Sequence, residues 1–402
     1  MPDRESNATE EQLLDDLDGV LPGGIDRRKF MYGSLGAIGA TMLAGCSSGG
    51  GDGGGGGGSD TVFTTPWKQE PSWGVAHVAD GNGYWSDEGA SGIVGQEGNG
   101  SDTESQQIGI GNKEMGITSL ATAIGVMPAT EDTDQLDMKI VGLARGRPLL
   151  SFIWRTDEVE DRADIAGKNV LQASGFAATT WDVYPQLVDV DPSEVNAEEG
   201  AEEVAPVRFA NNEVQAIWGS IDLLPAYEAE VDVELGVEPL TGFGPFLGYP
   251  IWVNGSWYEN KEDSVEYVAN VLTGYFKALK WSLLNQDEYL KYLKEEVNPN
   301  LQTWEEDELT GQHSVLAAQA ATLDMKDEGL GYFTEDGVAY SVDNIGPALV
   351  DDPEALPSTE DLYDLEPWET AEKVTFSDDE WDQLAETAGR YWDVFADAEA
   401  SN

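Results

Sequence analysis

The chain has 402 residues, with 77 acidic and 21 basic side chains and a formal net charge of −56. Side chains this acidic do not neutralise phosphates, which excludes nucleic acid as a partner. The single cysteine excludes an internal disulfide.

The N-terminal part of the chain contains a short apolar run between two arginines and the only cysteine. Residues 26–46 read DRRKFMYGSLGAIGATMLAGC, a twin arginine followed by a short apolar run that ends in Cys46. The stretch resembles a twin-arginine signal peptide, residues 1–45, fused to the lipobox LAGC, whose cysteine receives the lipid. An uncut N-terminal anchor is the alternative, although a spanning helix needs about 20 apolar residues. We therefore expect lipid anchoring at the extracellular face of the cell membrane.

A glycine-rich tether separates the anchor from the folded body. After Cys46, residues 47–60 read SSGGGDGGGGGGSD, a composition with no capacity to pack, so we predict that residues 46–60 form the lipidated anchor and a tether. As a random coil the tether spans about 20 Å. Residues 61–402 are long enough for two lobes with hydrophobic cores of their own.

The surplus of acids is spread along the chain, and with its few lysines it resembles proteins of extreme halophiles, the haloarchaeal type. In dilute salt such a chain repels itself, whereas at molar salt the screening length falls to about 3 Å. A surface built for a basic partner is the alternative.

The folded body begins with alternating strand and helix patterns. We predict strands in TVFTTPW, ASGIVGQ, EMGITSL and MKIVGLA, and helices in PSWGVAHVADGNGYW, TESQQIGIG and LATAIGV. The middle continues with strand GKNVLQA, helix TTWDVYPQLVDV, strand PVRFA, helix NNEVQAIWGS and strand IDLLPAY. Between them, NAEEGAEEVAP is predicted to be an acidic surface insertion. Such alternation predicts an α/β fold.

The last third is predicted to be mainly helical. Apolar residues keep helical spacing over 264–284, and Ser377 with Glu380 forms the capping box of another helix. Residues 351–367 are acidic and contain proline, which is typical of an irregular surface segment.

Four segments, in order, resemble the solute-binding proteins of ABC importers for nitrate, sulfonates, taurine and thiamine pyrimidine precursors. They are HVADGNGYWSDEG, MGITSLATAIG, RADIAGKNVLQASGFAATT and IWGSIDLLPAY, the last with Leu223 where the family usually has alanine. The resemblance covers roughly residues 61–290. It implies a two-lobed periplasmic-binding-protein-like fold of type II, two mixed sheets flanked by helices, with hinge crossovers. It implies lobe 1 over 61–152 and 246–402, including the C-terminal helices, and lobe 2 over 153–245.

In such folds a ligand lies at the carboxyl ends of strands, where loops offer amides and helix N-termini. The ligand-binding candidates are Trp67, Trp73, His77, Thr118, Ser119, Ser174, Gly175, Thr179 and Asp222. Most have a structural alternative: helix capping for the hydroxyl residues, core packing for the tryptophans, a surface or core position for His77, and a structural or hinge role for Asp222. Arg145, Arg147 and Arg155 are candidates for an anionic ligand, or for neutralising nearby carboxylates.

No catalytic or metal-binding motif is present in the sequence, so we expect neither an enzyme, a cofactor nor a metal site. The expected function is a lipid-anchored solute-binding component that closes on a small heterocyclic or anionic solute and docks, as a monomer, on the transmembrane subunits of an ABC permease. The alternative is a surface lipoprotein that retains the fold without transport. Sequons at Asn99 and Asn254 permit glycosylation.

Overall fold

The computed structural model describes residues 61–128, 135–173, 175–181, 183–201, 204–350 and 352–400. Cys46, the predicted signal and the tether lie outside this range. Among the described residues, no helix combines the length and the apolar character needed to cross a membrane.

Ten strands of the described chain form two five-stranded sheets. In chain order the strands are β1 (Thr61–Thr64), β2 (Ile93–Gln96), β3 (Met115–Ile117), β4 (Met138–Arg145), β5 (Leu150–Arg155), β6 (Asn169–Ala173), β7 (Asn196–Gly200), β8 (Ala216–Ser220), β9 (Leu235–Pro239) and β10 (Tyr249–Asn254). The first sheet, of lobe 1, has the order β2-β1-β3-β10-β4, and the second, of lobe 2, has the order β7-β6-β8-β5-β9.

Both sheets are mixed. In the first, β1 runs parallel to β2 and β3, while β10 runs antiparallel between β3 and β4. In the second, β6 runs parallel to β7 and β8, while β5 runs antiparallel between β8 and β9. The chain passes from the first sheet to the second after β4 and returns before β10, which confirms the predicted α/β fold of two mixed sheets.

Helices flank both sheets. They are α1 (Val75–Gly81), α2 (Tyr84–Asp87), α3 (Ser101–Gly109), α4 (Leu120–Val126), α5 (Gly175–Thr180), α6 (Val183–Leu187), α7 (Ala205–Ala210), α8 (Leu224–Glu230), α9 (Gly255–Asn260), α10 (Ser264–Leu284), α11 (Gln286–Tyr292), α12 (Glu306–Ala320), α13 (Met325–Glu328), α14 (Glu335–Leu349), α15 (Glu366–Thr370), α16 (Asp378–Ala388) and α17 (Arg390–Ala400). The bounds of α10 agree with the predicted helix, and the Ser377–Glu380 capping box is present at the start of α16.

Two hydrophobic cores support the sheets. The larger core packs β1, β3, β4 and β10 against α1 and α10, with Phe63, Trp252 and Phe276 fully or nearly fully buried. The smaller core lies in lobe 2 around Phe152, Tyr184 and Trp218, and it also takes in residues of α4 and α14. Burial of apolar area at about 25 cal/mol per Å² makes these cores the main source of stability.

The prediction for residues 206–227 is wrong. PVRFA belongs to helix α7, the last five residues of NNEVQAIWGS form strand β8, and IDLLPAY is a 3₁₀ turn followed by the start of α8. Pro206 in the first turn of α7 suits a helix start, and Asn212, with φ of 56°, lies in the left-handed region just beyond the helix end. Strand β8 is central and buried on both faces, so it has no alternating pattern.

Two neighbouring predictions are also corrected. The expected acidic insertion begins with strand β7, an edge strand that pairs only with β6. Its acidic side chains suit an edge, because charge opposes pairing with another chain. The expected helix over 179–190 is divided, since α5 ends at Thr180 and α6 covers Val183–Leu187.

Asn254, at the end of β10, joins three segments of lobe 1. Its side-chain amide donates hydrogen bonds to the carbonyl oxygens of Ile108, Gly109 and Asp137, and its Oδ1 accepts from the amide of Trp257 at 2.8 Å, which caps α9. The side chain is therefore occupied and buried, whereas Asn99, in the other sequon, is exposed.

We expect Asn254→Ala to lower the free energy of unfolding by about 2 kcal/mol, since it removes a helix cap and the donor to three carbonyl groups. Asn99→Ala is the matched control and should leave stability unchanged. Urea unfolding in molar salt measures both. Equal losses in the two variants would contradict this role of Asn254.

Candidate functional site

The topology brings strand ends of both sheets toward the two segments that connect the lobes. The first crossover, residues 146–149, joins β4 to β5, and the second crossover, residues 240–248, joins β9 to β10. Thr118 and Ser119 follow the carboxyl end of β3, α5 follows that of β6, and the turn Ile221–Leu223 follows that of β8. This is the location where open α/β sheets bind ligands.

A small pocket lies between the lobes at the crossovers. It is lined by Ser119, Leu120 and Ala121 of lobe 1, by Thr180, Val183 and Trp218 of lobe 2, by Pro148, Leu149, Leu150, Leu240, Leu247, Gly248 and Tyr249 of the crossovers and adjoining strands, and by Ile345 of α14. Its volume is about 20 Å³, room for about one water molecule. Small-molecule sites enclose about 300–1,000 Å³, so with the lobes in this arrangement the pocket is too small for a small organic molecule.

Hydroxyl groups from both lobes border this apolar pocket. Ser119 caps α4, where its Oγ accepts from the amide of Thr122 at 3.4 Å, and its own amide donates to Ser101 Oγ at 3.2 Å. Across the pocket, Trp218 Nε1 donates to Thr180 Oγ1 at 3.1 Å. The pocket thus offers an indole, a phenol and two hydroxyl groups at its walls.

Thr118, beside Ser119, contacts helix α3 and does not line the pocket. It is fully buried, its Oγ1 accepts a hydrogen bond from Ser105 Oγ at 3.0 Å, and its carbonyl oxygen accepts from Trp252 Nε1. In the structure Thr118 is a packing neighbour of the pocket wall, and Ser119 is the residue that lines the pocket.

Behind the pocket, a guanidinium group stacks on an aromatic pair. Trp73 packs edge-on against the pocket residue Tyr249, with ring centroids 5.0 Å apart, and Arg145 lies over Trp73 at 3.5 Å. Arg145 donates to the carbonyl oxygen of Ser72 and to Gln319 Oε1. Among the described residues, no carboxylate lies within ion-pair distance of Arg145, although burial lowers its pKa and Asp222 opposes that shift.

The other two arginines neutralise carboxylates, as one of the two interpretations predicts. Arg147 pairs with Glu399 at 2.7 Å, and Arg155 pairs with Asp157 at 3.1 Å. Arg145 therefore differs from its neighbours, because no carboxylate of the described part of the chain forms an ion pair with this charge behind the pocket.

A group of carboxylates lies across the lobes beyond Trp73. Glu70 follows β1 in lobe 1, Asp222 follows β8 in lobe 2, and Glu308 belongs to α12. Burial, together with the negative charges of Asp222 and Glu308, raises the pKa of Glu70 to about 7, against a smaller opposing influence of Lys68. Trp67, 45 % exposed, donates a hydrogen bond to Glu70 at this edge of the cleft.

The remaining candidates lie elsewhere or outside the described side chains. His77 is buried in α1, where its carbonyl oxygen accepts from Tyr292 Oη and burial lowers the pKa of the ring. It does not line the interlobe pocket. Ser174 lies outside the described residues; Gly175 and Thr179 belong to α5, but their side chains are not among those described.

Of the residues that line the pocket, only Ser119 was among the sequence candidates, and Trp218, Tyr249 and Ile345 illustrate what was missed. Trp218 falls in the segment that sequence patterns assign to a helix, and Tyr249 begins β10 directly after the second crossover. Ile345 comes from α14, far along the chain, and no local pattern marks it. Of these three residues, only Tyr249 could have been predicted, because it lies where the second crossover ends and a strand begins.

Comparison with known proteins places the fold. No protein-family model matches the chain, and no curated protein matches it. Among solved structures, it is similar to the aliphatic sulphonate-binding protein SsuA of Escherichia coli, with a TM-score of 0.56 and 12 % identity over 79 % of this chain and 94 % of the other. The alkanesulfonate-binding protein SsuA of Xanthomonas axonopodis pv. citri gives 0.52 and 12 % over 75 % and 96 %. The nitrate-binding protein NrtA of Synechocystis PCC 6803 gives 0.53 and 9 % over 81 % and 89 %.

At identities this low the similarity concerns the fold. The chain has the fold of periplasmic binding proteins, with two α/β lobes joined by two crossover segments.

The raised pKa of Glu70 predicts a pH dependence of stability. The folded chain keeps the Glu70 proton up to a pH of about 7, whereas the unfolded chain releases it near 4.5. The protonated Glu70 therefore adds its full contribution to the free energy of unfolding below a pH of about 4.5. This contribution is lost as the pH rises from about 4.5 to about 7, with a slope of at most about 1.4 kcal/mol per pH unit. Glu70→Gln should remove this component, measured as the difference in unfolding free energy between wild type and variant from pH 5 to 8.

Glu97→Gln, at an exposed position of the same lobe, is the control and should reproduce the wild-type slope. If wild type and Glu70→Gln lose stability in parallel as pH rises, burial beside these negative charges does not hold the Glu70 proton.

Proposed function

We propose that this chain is the solute-binding component of an ABC importer, held at the extracellular face of the cell membrane by a lipid on Cys46. The observation that carries the proposal is the convergence, on one pocket, of residues that follow strands of both lobes, at the two crossovers. A fold of this kind encloses a solute when the lobes rotate about their crossovers, and the closed form presents a new surface to a permease. Binding is expected to involve no change in covalent bonds.

The chemistry around the pocket supports a planar or anionic small solute. Trp218 and Tyr249 offer aromatic walls, Ser119 and Thr180 contribute hydroxyl groups, and Arg145 adds an unneutralised guanidinium group behind the wall. Such a combination suits a heterocycle such as a thiamine pyrimidine precursor, or a sulfonate, taurine or nitrate. That solved structures of this fold include sulfonate- and nitrate-binding proteins agrees with the anionic alternative.

The site residues predicted from the sequence have different places in this proposal. Ser119 is the pocket residue, Trp73 supports the wall behind Tyr249, and Trp67 with Asp222 borders the outer edge of the cleft. Ser174, Gly175 and Thr179 remain candidates through their position after β6. Thr118 and His77 are assigned supporting roles in packing.

Export and partners complete the proposal. We infer twin-arginine export, a monomer tethered by residues 46–60, and an ABC permease with its transmembrane subunits as the receiving partner. The acidic surface is attributed to a haloarchaeal type of environment, in which molar salt screens the net charge of −56.

Ser119→Ala tests the pocket. Isothermal titration in molar potassium chloride, with taurine, an alkanesulfonate, nitrate and a hydroxymethyl pyrimidine as probes, should show binding of at least one probe to the wild type. Loss of one hydrogen bond at Ser119 should weaken that affinity roughly tenfold. Ser377→Ala is the matched control, because it also removes a serine helix cap but lies outside the pocket lining.

Equal affinities in the two serine variants would contradict the assigned pocket. Absence of heat with every probe, for wild-type protein that unfolds cooperatively, would favour a surface lipoprotein that retains the fold without transport.

Cys46→Ala tests the anchor. The wild-type protein should partition into the detergent phase and incorporate a radiolabelled lipid precursor, and the variant should do neither and appear in the medium. Replacing Arg27 and Arg28 with lysine should instead retain the protein inside the cell. A Cys46→Ala protein that still partitions with detergent would indicate an uncut N-terminal anchor.

A further inference from the structure

The first crossover is attached to the C-terminal helix by a buried ion pair. The guanidinium group of Arg147 is fully buried; its Nε and Nη2 donate to the two carboxylate oxygens of Glu399 at 2.7 and 2.8 Å. The rings of Trp392 and Phe395, also in α17, lie 5.0 and 5.5 Å from the guanidinium carbon. The pair is bidentate, which fixes the direction as well as the distance between crossover and helix.

Arg147 directly precedes residues 148–150, which form the floor of the pocket. A change in backbone angles at residues 146–149, which rotation of the lobes requires, therefore changes the position of Arg147 relative to Glu399.

The same helix also reaches lobe 2. Arg390, at the start of α17, forms an ion pair with Glu228 of α8, and the helix packs against β9 and against the turn Leu240–Phe243 of the second crossover. On its other side it packs against α12. Helix α17 thus contacts both crossovers and a helix of lobe 2.

Space for movement exists beside this contact. A cavity of about 260 Å³ is lined by Gly146 of the first crossover, by Phe246 and Leu247 of the second, and by Glu399. Closely packed interiors resist displacement, so a void at the crossovers gives their backbone room to rearrange.

We propose that α17 is a strap across the hinge, and that Arg147 and Glu399 are positioning residues that hold the lobes in their closed arrangement and so set the affinity for solute. The role in affinity rests on the proposed solute-binding function; the effect on lobe closure does not. Because the pair is buried, with Arg147 fully so and Glu399 at 16 % side-chain exposure, molar salt leaves it largely unscreened. The more exposed Arg390–Glu228 pair is screened under the same conditions.

The test measures the distance between lobes without solute. Spin labels are placed at the exposed positions Ile110 in lobe 1 and Val207 in lobe 2, through Ile110→Cys and Val207→Cys in the full chain carrying Cys46→Ala. Pulsed electron resonance in molar salt then gives the distance distribution. Glu399→Gln should raise the ratio of open to closed molecules at least tenfold, and Glu399→Asp, which keeps the charge, should restore most of the closed population.

Glu380→Gln is the control, because it removes the Lys280–Glu380 pair between α10 and α16, away from the crossovers. The proposal is overturned if Glu399→Gln lowers the unfolding temperature but leaves the same distance distribution as Glu380→Gln. If Glu399→Gln does not fold, Arg147→Lys, which keeps the charge but loses the bidentate contact, takes its place, and an unchanged distribution in that variant overturns the proposal equally.

Titration of the same variants with the probe that binds wild type separates the two hypotheses. A shifted distance distribution with weaker binding supports both. A shifted distribution in a protein that binds none of the probes supports the strap and contradicts the solute-binding function.

Discussion

The arrangement of the two sheets depends on the contact between the first crossover and the C-terminal end of helix α12. The last carbonyl groups of that helix, at residues 318–320, all accept hydrogen bonds from two residues of the crossover: the amides of Gly146 and Arg147, and the Arg147 guanidinium group. Helix ends leave such carbonyl groups without intrahelical partners and favour positive charge. One contact therefore satisfies the helix end, places a buried cation at its negative pole and fixes the segment from which the pocket floor follows. The orientation of the crossover, and with it that of the second sheet, is set by this helix.

The positions of the basic side chains reflect how few of them the chain contains. With 21 basic residues against 77 acidic ones, most carboxylates have no cationic partner and lie at the surface, where salt rather than pairing must screen them. Three cations that are buried or largely buried lie instead at junctions: Lys113 with the buried Glu104 beneath the end of β1, Arg147 with Glu399 at the crossover, and Arg145 between loop and helix. A buried pair is costly to break once formed, because the remaining charge has no compensation. The charge distribution thus makes the junctions rigid and leaves the surface dependent on salt.

Local sequence patterns predict individual helices and caps, but they do not predict contacts between residues that are far apart in the chain. Helix 264–284 and the capping box at Ser377 were predictable because apolar spacing and a serine-glutamate pair carry the signal within a few residues. The order of elements over 206–227 was not, since a central strand buried on both faces has the same apolar content as a buried helix, and the turn residue Asn212 was not recognised. Ser119 was found from its position after a strand, but Trp218, Tyr249 and Ile345 meet it only through the crossovers, which no local pattern encodes.

Closure of the lobes links these observations to the proposed solute-binding function. In the structure the lobes meet around a volume of about 20 Å³, with Ala121 of lobe 1 and Ile345 of α14 sharing the hydrophobic core of lobe 2. Apolar contact between lobes favours closure even without a solute, and any solute must replace these contacts with its own. The carboxylates of Glu70 and Asp222, one from each lobe, oppose the same movement when both are ionised. Affinity is then the difference between solute contacts and the interlobe contacts that they displace. Residues that never touch the solute, in the strap or among these carboxylates, change that difference as effectively as residues in the pocket wall.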